Sequence, residues 1–75
     1  MQLEALLAAV LDVEPGVVTA DSSAGELEAW DSLAHLSVVA AVEETYGVTC
    51  SMAEMGELRS VAAIRSFLGS RAVVA

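Results

Sequence analysis

The stretch WDSLAHL, residues 30–36, decides the fold of this chain, because a long loop ends there and the most strongly helical segment begins. Asp31 is well suited to cap that helix, since its carboxylate can accept a hydrogen bond from a first-turn N–H that has no other partner. Ser32 is then the first helical residue, with its hydroxyl at the positive end of the helix dipole. The stretch therefore predicts a helix start whose electrostatics suit a phosphate carried by Ser32.

The helix that begins at Ser32 is expected to run to about Tyr46, with Gly47 in the left-handed conformation that often follows a helix end. At about 1.5 Å per residue it would span roughly 22 Å and form the spine of a domain this small. The expected core-facing residues are Leu36, Val39, Val42 and Tyr46, and the expected outward-facing residues are Ala34, Ser37, Ala41 and Glu44.

Three other helices are indicated by the spacing of apolar residues and by candidate caps. Apolar residues spaced as i, i+3, i+4, i+7 and i+8 predict a helix over 2–12, ended before Pro15-Gly16. Ser51 is expected to cap a short helix over 52–57, and Ser60 a last helix over 61–70. The tail, 72–75, is expected to fray. The expected apolar faces are Leu3, Leu6, Leu7, Val10 and Leu11, then Met52 and Met55, then Val61, Ile64, Phe67 and Leu68.

Residues 13–30 form a connection of a length that is uncommon in a small domain unless it is anchored or functional. The run from Asp21 to Glu26 lacks the alternating oxygen ligands of a calcium-binding loop, which argues against a calcium site. The expected anchors of the connection are Val13, Val17, Val18 and Leu27.

The charge of the chain restricts its partners. Its 75 residues include eleven acidic and three basic side chains, for a formal charge of −8. This balance argues strongly against nucleic acid as a partner, because its phosphates would be repelled. The balance suits a protein that meets enzymes with basic docking patches.

The single cysteine, Cys50, excludes an internal disulfide and is expected to be a small buried apolar residue. One His and one Cys cannot build a structural zinc site, so no metal is expected. No apolar run approaches the roughly 20 residues that a bilayer requires. Glu4 is the first charge and the basic start of a signal peptide is missing, so the expected location is the cytoplasm.

The order of a helix, a long loop, a central helix opening with Asp31-Ser32-Leu33, a short helix and a final helix resembles the acyl carrier protein family across almost the whole chain. The resemblance implies an all-α four-helix bundle, with three main helices and one short helix, and residues 1–75 as a single free-standing carrier domain. It implies that Ser32 carries 4′-phosphopantetheine, whose thiol holds acyl groups as thioesters. A monomeric carrier of this kind is not itself an enzyme.

The same resemblance implies roles for residues on the central helix. Asp31 and Leu33 would belong to the patch that a phosphopantetheinyl transferase recognises when it transfers the arm from coenzyme A. Leu33, Glu43 and Glu44 would face acyl-loading and acyl-processing enzymes with basic docking patches. Met52 and Met55, more often core residues, lie in a region that borders the acyl pocket of the family.

The sequence departs from the fatty-acid-synthase carriers at two positions after the serine. Ala34 and Ser37 stand where those carriers commonly have acidic residues. This difference favours polyketide or related secondary metabolism over housekeeping fatty acid synthesis. A peptidyl carrier is an alternative, although Ala29-Trp30 replaces the paired glycines common there, and a fatty-acid-synthase carrier is another.

His35 lies one turn after Ser32, which invites a catalytic interpretation that we reject. Asp31, Ser32 and His35 crowd one helical turn, and no Gly-rich loop offers an oxyanion hole. With Asp31 as cap, Trp30 and His35 occupy the two positions of a hydrophobic staple, so their side chains are expected to touch. Outside the carrier family, the remaining alternative is a small helical interaction module without a prosthetic group.

Overall fold

A computed structural model describes residues 2–73, which form four α-helices and no strand. An isolated antiparallel bridge pairs Ser23 with Ser60. The expected all-α four-helix architecture, with three main helices and one short helix, is confirmed. The elements are α1 (Leu3–Leu11), a 3-10 helix (Pro15–Val17), α2 (Ser32–Tyr46), α3 (Met52–Glu57) and α4 (Val61–Ser70).

Local capping sets the starts of α2, α3 and α4. Asp31, Ser51 and Ser60 each accept a hydrogen bond from the backbone N–H three residues later, at 2.8, 3.2 and 3.0 Å. Such a bond satisfies an N–H that has no partner inside the helix. Gly47 ends α2 with a φ of 67°, as expected of a glycine at that position. The expected bounds of these three helices are confirmed.

The core is an apolar cluster shared by the three main helices and the loop. Trp30, just before α2, is its largest fully buried side chain, with 1% of its surface exposed. The expected faces of α1 and α4 are confirmed, except that Val10 is only half-buried. The buried residues are Leu3, Leu6, Leu7, Ala8, Leu11, Val18, Trp30, Val38, Val39, Val42, Cys50, Leu58, Val61, Ile64, Phe67 and Leu68.

The buried face of α2 includes Val39, Val42 and the partly buried Tyr46, as expected, but it differs from the expected face near the start of the helix. Leu36 is 54% exposed, so its assignment to the core is wrong, whereas Val38 is fully buried and His35 is 6% exposed. Residues 35, 38, 39, 42 and 46 have the same helical spacing but include the polar residue His35. The contacts that His35 makes with Trp30 and Met55 place this face against the core. Ala34 and Ala41 are half-buried against the core, so their expected outward orientation is also wrong.

The long connection is anchored by part of the expected set. Val18 is buried and Val13 and Leu27 are half-buried, as expected. Val17 is 44% exposed, so its predicted role as an anchor is wrong. Val17 is the last residue of a 3-10 helix that the sequence pattern did not predict, and the next residue, Val18, is the one that is buried.

Main-chain hydrogen bonds attach this connection to the start of α4. The N–H of Ala24 donates to the carbonyl of Arg59 at 2.8 Å, and the N–H of Val61 donates to the carbonyl of Ser22 at 3.0 Å. The loop that leads into α2 is thus ordered by the last helix.

The ends of the described chain are ordered. α1 is one residue shorter at each end than predicted. Gln2 has an extended backbone and precedes the helix, and Asp12 adopts a left-handed φ of 55° and ends it. Val73 is half-buried and its N–H donates to the carbonyl of Leu68 at 2.9 Å, so the expected fraying is wrong as far as Val73. Val74 and Ala75 lie outside the described residues.

Candidate functional site

Ser32 is exposed and is the first residue of α2. Before it, Asp31 accepts the N–H of Ala34 on its carboxylate at 2.8 Å and the N–H of His35 on its carbonyl at 2.9 Å. The N–H groups of Ser32 and Leu33 precede the first intrahelical bond and point out of the helix end. The positive end of a 15-residue helix therefore lies at the exposed Ser32 hydroxyl.

The other two serines at helix starts, and Ser22 in the loop, have engaged hydroxyls. The Ser51 and Ser60 hydroxyls accept the capping bonds of α3 and α4. Ser22 is buried and its hydroxyl accepts the N–H of Thr19 at 2.9 Å. The Ser32 hydroxyl forms no hydrogen bond with residues 2–73, which leaves it accessible to an incoming group.

The predicted contact between Trp30 and His35 is confirmed, and it includes a hydrogen bond. The indole N–H donates to His35 Nδ1 at 3.0 Å, and the rings stack with their centroids 6.1 Å apart. Because an indole N–H can only donate, Nδ1 accepts and the imidazole proton lies on Nε2. Nε2 then donates to the carbonyl of Met55 in α3 at 2.7 Å. The histidine is thus fully hydrogen-bonded inside the bundle.

Three large apolar side chains are exposed around the start of α2 and on α3. Leu33, Leu36 and Met52 are 77%, 54% and 87% exposed. Leu33 and Leu36 are three residues apart on α2 and therefore neighbours on its surface. The core role expected of Met52 is wrong, because the first residue of α3 projects away from the bundle. The exposed Leu36 was missed because its residue type alone favoured the core.

The Glu43-Glu44 pair is divided by the structure. The Glu43 carboxylate is half-buried and accepts the backbone N–H of Cys50 at 2.8 Å, which ties the link before α3 to α2. Glu44 is exposed on the helix surface. No sequence pattern pointed to the bond from Cys50, because its donor belongs to the main chain.

The Cys50 thiol is buried, as expected of a small apolar residue. Desolvation by burial raises the pKa of this thiol, and the carboxylates of Glu43 and Glu54 raise it further. A raised pKa keeps the sulfur in its weakly nucleophilic protonated form. Within residues 2–73, no group of three or more potential metal ligands comes together.

An open groove of about 400 Å³ lies between α3 and α4, away from Ser32. Met52 and Met55 do not line this groove, so the acyl pocket that the family resemblance implies beside them stays a prediction. The groove is lined by Glu54, Glu57, Leu58, Ala63, Ser66, Phe67 and Ser70.

A family model described as a phosphopantetheine attachment site matches residues 2–68 of the chain. The chain belongs to this family. As a phosphopantetheine-binding carrier protein, it carries a covalently attached 4′-phosphopantetheine. Carriers of this kind work with phosphopantetheinyl transferases and acyl-processing enzymes. A search of curated proteins gives no significant match.

The residues at the start of α2 fit this prosthetic group. The carrier offers an exposed serine hydroxyl for the phosphodiester, and the N–H groups of Ser32 and Leu33 with the helix dipole favour the phosphate charge. When bound, the arm supplies a thiol that can hold an acyl group. None of the helices over residues 2–73 is long and apolar enough to cross a membrane.

Proposed function

We propose that Ser32 is the residue that carries 4′-phosphopantetheine and that the chain acts as an acyl carrier domain over residues 1–75. The observation that supports this most directly is the exposed, unbonded Ser32 hydroxyl at a helix start already capped by Asp31. Its place at the positive end of α2 lowers the cost of a phosphate charge there. Asp31 and Leu33, on either side, form the patch that the transferase reads.

In this proposal the chain is a substrate for partner enzymes and not a catalyst. His35 is one turn from Ser32, but both of its ring nitrogens are engaged, one by Trp30 and one by the Met55 carbonyl. The imidazole is therefore not free to take the Ser32 proton. Burial and a raised pKa hold the Cys50 thiol out of reaction as well.

The proposal extends to the class of pathway, which is polyketide or related secondary metabolism. The exposed face of α2 near Ser32 carries Leu33, Leu36 and Ser37. The exposed acid Glu44 lies about three turns after Ser32. Glu43 would dock partners only weakly, because its carboxylate already accepts a main-chain bond. Partners would thus meet Leu33 first and Glu44 as a peripheral charge. The cytoplasmic location and the monomeric state stay predictions.

Incubation with coenzyme A and a phosphopantetheinyl transferase of broad carrier specificity tests the proposal. Intact mass should show one arm per chain, and peptide mapping should place it on Ser32. Ser32→Ala should accept none, whereas Ser37→Ala, which removes another exposed serine of α2, should accept one. An arm on a different residue, or an unmodified wild-type chain with an active transferase, would contradict the attachment site.

A further inference from the structure

The short helix α3 is held on the bundle with little apolar burial. None of its six residues is buried, and Met55 is the one that packs against the core as a half-buried side chain. A helix this short does not form alone, since isolated helices below about 12–15 residues are marginal in water. Contacts from other elements must therefore hold α3 in place.

Two of these contacts are weak or do not reach α3 itself. Arg71, after α4, donates to the Glu54 carboxylate at 2.6 Å, but the Arg71 side chain is 40% exposed. Ion pairs this exposed contribute little to stability. Glu43 accepts the N–H of Cys50, so it orders the link before α3 and not the helix itself.

The third contact comes from inside the bundle. His35 is 6% exposed and donates from Nε2 to the main-chain carbonyl of Met55 at 2.7 Å. This bond is partly buried, and hydrogen bonds shielded from water are electrostatically stronger than exposed ones. The Trp30 indole fixes the ring in the tautomer that makes this bond. Among the described residues, this is the bond from a buried side chain that reaches α3.

We infer that His35 is a positioning residue, which holds α3 beside the attachment serine through its bond to the Met55 carbonyl. His35 lies one helical turn after the exposed Ser32, with its own side chain directed into the bundle. The imidazole therefore connects the start of α2 to the main chain of α3. The inference rests on the proposed attachment at Ser32, and adds that the transferase meets α2 and α3 as one preformed surface.

Two variants of His35 separate its two bonds. The side-chain amide of Asn lies near the position of Nδ1, so His35→Asn retains an acceptor for Trp30 and loses the donor to Met55. The amide of Gln lies near the position of Nε2, so His35→Gln retains the donor to Met55. Thr45→Asn is a matched control, because Thr45 is an exposed residue at the far end of α2.

The experiment measures kcat and KM of a phosphopantetheinyl transferase with coenzyme A, and amide hydrogen exchange in the unmodified chains. His35→Asn should speed exchange in α3 but not in α1 or α4. Its KM should rise about two- to tenfold, the range that loss of one hydrogen bond produces, with kcat unchanged. His35→Gln and Thr45→Asn should stay close to wild type in both measurements.

Wild-type exchange in α3 and wild-type KM for His35→Asn would overturn the inference. Equal loosening of α1 and α4, or an equal effect of His35→Gln, would also overturn it, because the Met55 bond would then not be the cause. If His35→Asn does not fold, His35→Leu replaces it and is compared with His35→Gln. Both variants lose the acceptor for Trp30, but only His35→Leu also loses the donor to Met55, so His35→Leu should loosen α3 selectively. If even wild type gains no arm on Ser32, the proposed attachment fails, while exchange in the unmodified chains still decides how α3 is held.

Discussion

Arg65 on α4 and Glu4 on α1 form a two-point ion pair, from Nη2 to Oε1 at 2.7 Å and from Nη1 to Oε2 at 3.2 Å. The parallel donors of a guanidinium match the two oxygens of a carboxylate. The pair joins residues near the two ends of the chain and lies at the rim of the core. The bond from Arg65 lowers the pKa of the Glu4 carboxyl and raises the pKa of the Arg65 guanidinium.

The first prediction concerns the pH dependence of this ion pair. Because the folded-state pKa of Glu4 is below its unfolded value, about 4.3, the pair stabilises the fold above that value and loses its effect as pH falls through the folded pKa. Glu4→Gln should lower the free energy of unfolding at pH 7 by about 0.2–1 kcal/mol, the range for a partly exposed pair. Denaturant unfolding at pH 7 and pH 3 measures it.

At pH 3 the difference between wild type and Glu4→Gln should be smaller than at pH 7. Glu28→Gln is the matched control, since Glu28 is an exposed loop carboxylate. An undiminished difference at low pH would show that the variant acts through packing and not through charge.

The second prediction concerns which side chains of α2 are buried in the core. Val38→Ala should cost about 1–3 kcal/mol of unfolding free energy, because it removes two buried methyl groups from a fully buried site. Leu36→Ala should change it by no more than about 0.5 kcal/mol, because Leu36 is 54% exposed. Urea denaturation of the two variants measures both effects. A larger cost for Leu36→Ala than for Val38→Ala would restore the helix face first expected from the sequence.

The third prediction concerns the Trp30–His35 pair. His35→Ala should change the fluorescence emission of Trp30, the only tryptophan, because the stacked ring and the acceptor of the indole N–H are both removed. It should also cost about 1–3 kcal/mol of stability, since a buried donor is left without a partner. Emission spectra and denaturant unfolding measure these effects, and unchanged emission would contradict the contact.

The fourth prediction concerns partner choice along α2. Fatty-acid-synthase enzymes should load the modified chain slowly, and adding acids to the exposed positions Ser37 and Ala40 should speed loading. Each added surface pair contributes about 0.2–1 kcal/mol, so Ser37→Glu with Ala40→Glu should give a gain of about two- to thirtyfold. Ala34 is unsuitable for this test, because it is half-buried against the core.

The measurement is the rate of malonyl loading by a fatty-acid-pathway transferase at two salt concentrations. The gain should shrink at high salt, because exposed charges are screened within about 10 Å at 0.1 M. Ala5→Glu with Ala9→Glu is the control, since it adds the same charge at exposed positions of α1. Equal gains from both pairs would show a net-charge effect, and rapid loading of wild type would argue against a specialised pathway.

Local signals predicted more of this fold than long-range ones. The caps Asp31, Ser51 and Ser60 act within four residues of themselves, so they located three helix starts correctly. The prediction that Leu36 faces the core was wrong because His35, which is polar by type, is buried in its place and bonded to Trp30. Hydrophobic periodicity cannot register such a bond.

At the candidate site, side-chain chemistry was predictable and main-chain partners were not. The position of Ser32 at the start of α2, the Asp31 cap and the Trp30–His35 contact followed from residue types at a helix start. The Met55 carbonyl that accepts the imidazole N–H and the Cys50 N–H that donates to Glu43 both belong to the backbone of residues distant in sequence. Every residue offers the same backbone groups, so only the fold selects which of them is used.

The attachment of the long connection to α4 has a consequence for the order of folding. The bond between the Ser22 carbonyl and the Val61 N–H closes a loop of about 40 residues, whereas the helices form from neighbours in sequence. Loop closure costs chain entropy before any distant contact forms, and contacts of high sequence separation slow folding. We therefore expect the segment that leads into Ser32 to become ordered late, after α4 has docked. A nascent chain that still lacks α4 would then have the segment before Ser32, the proposed attachment site, not yet in place.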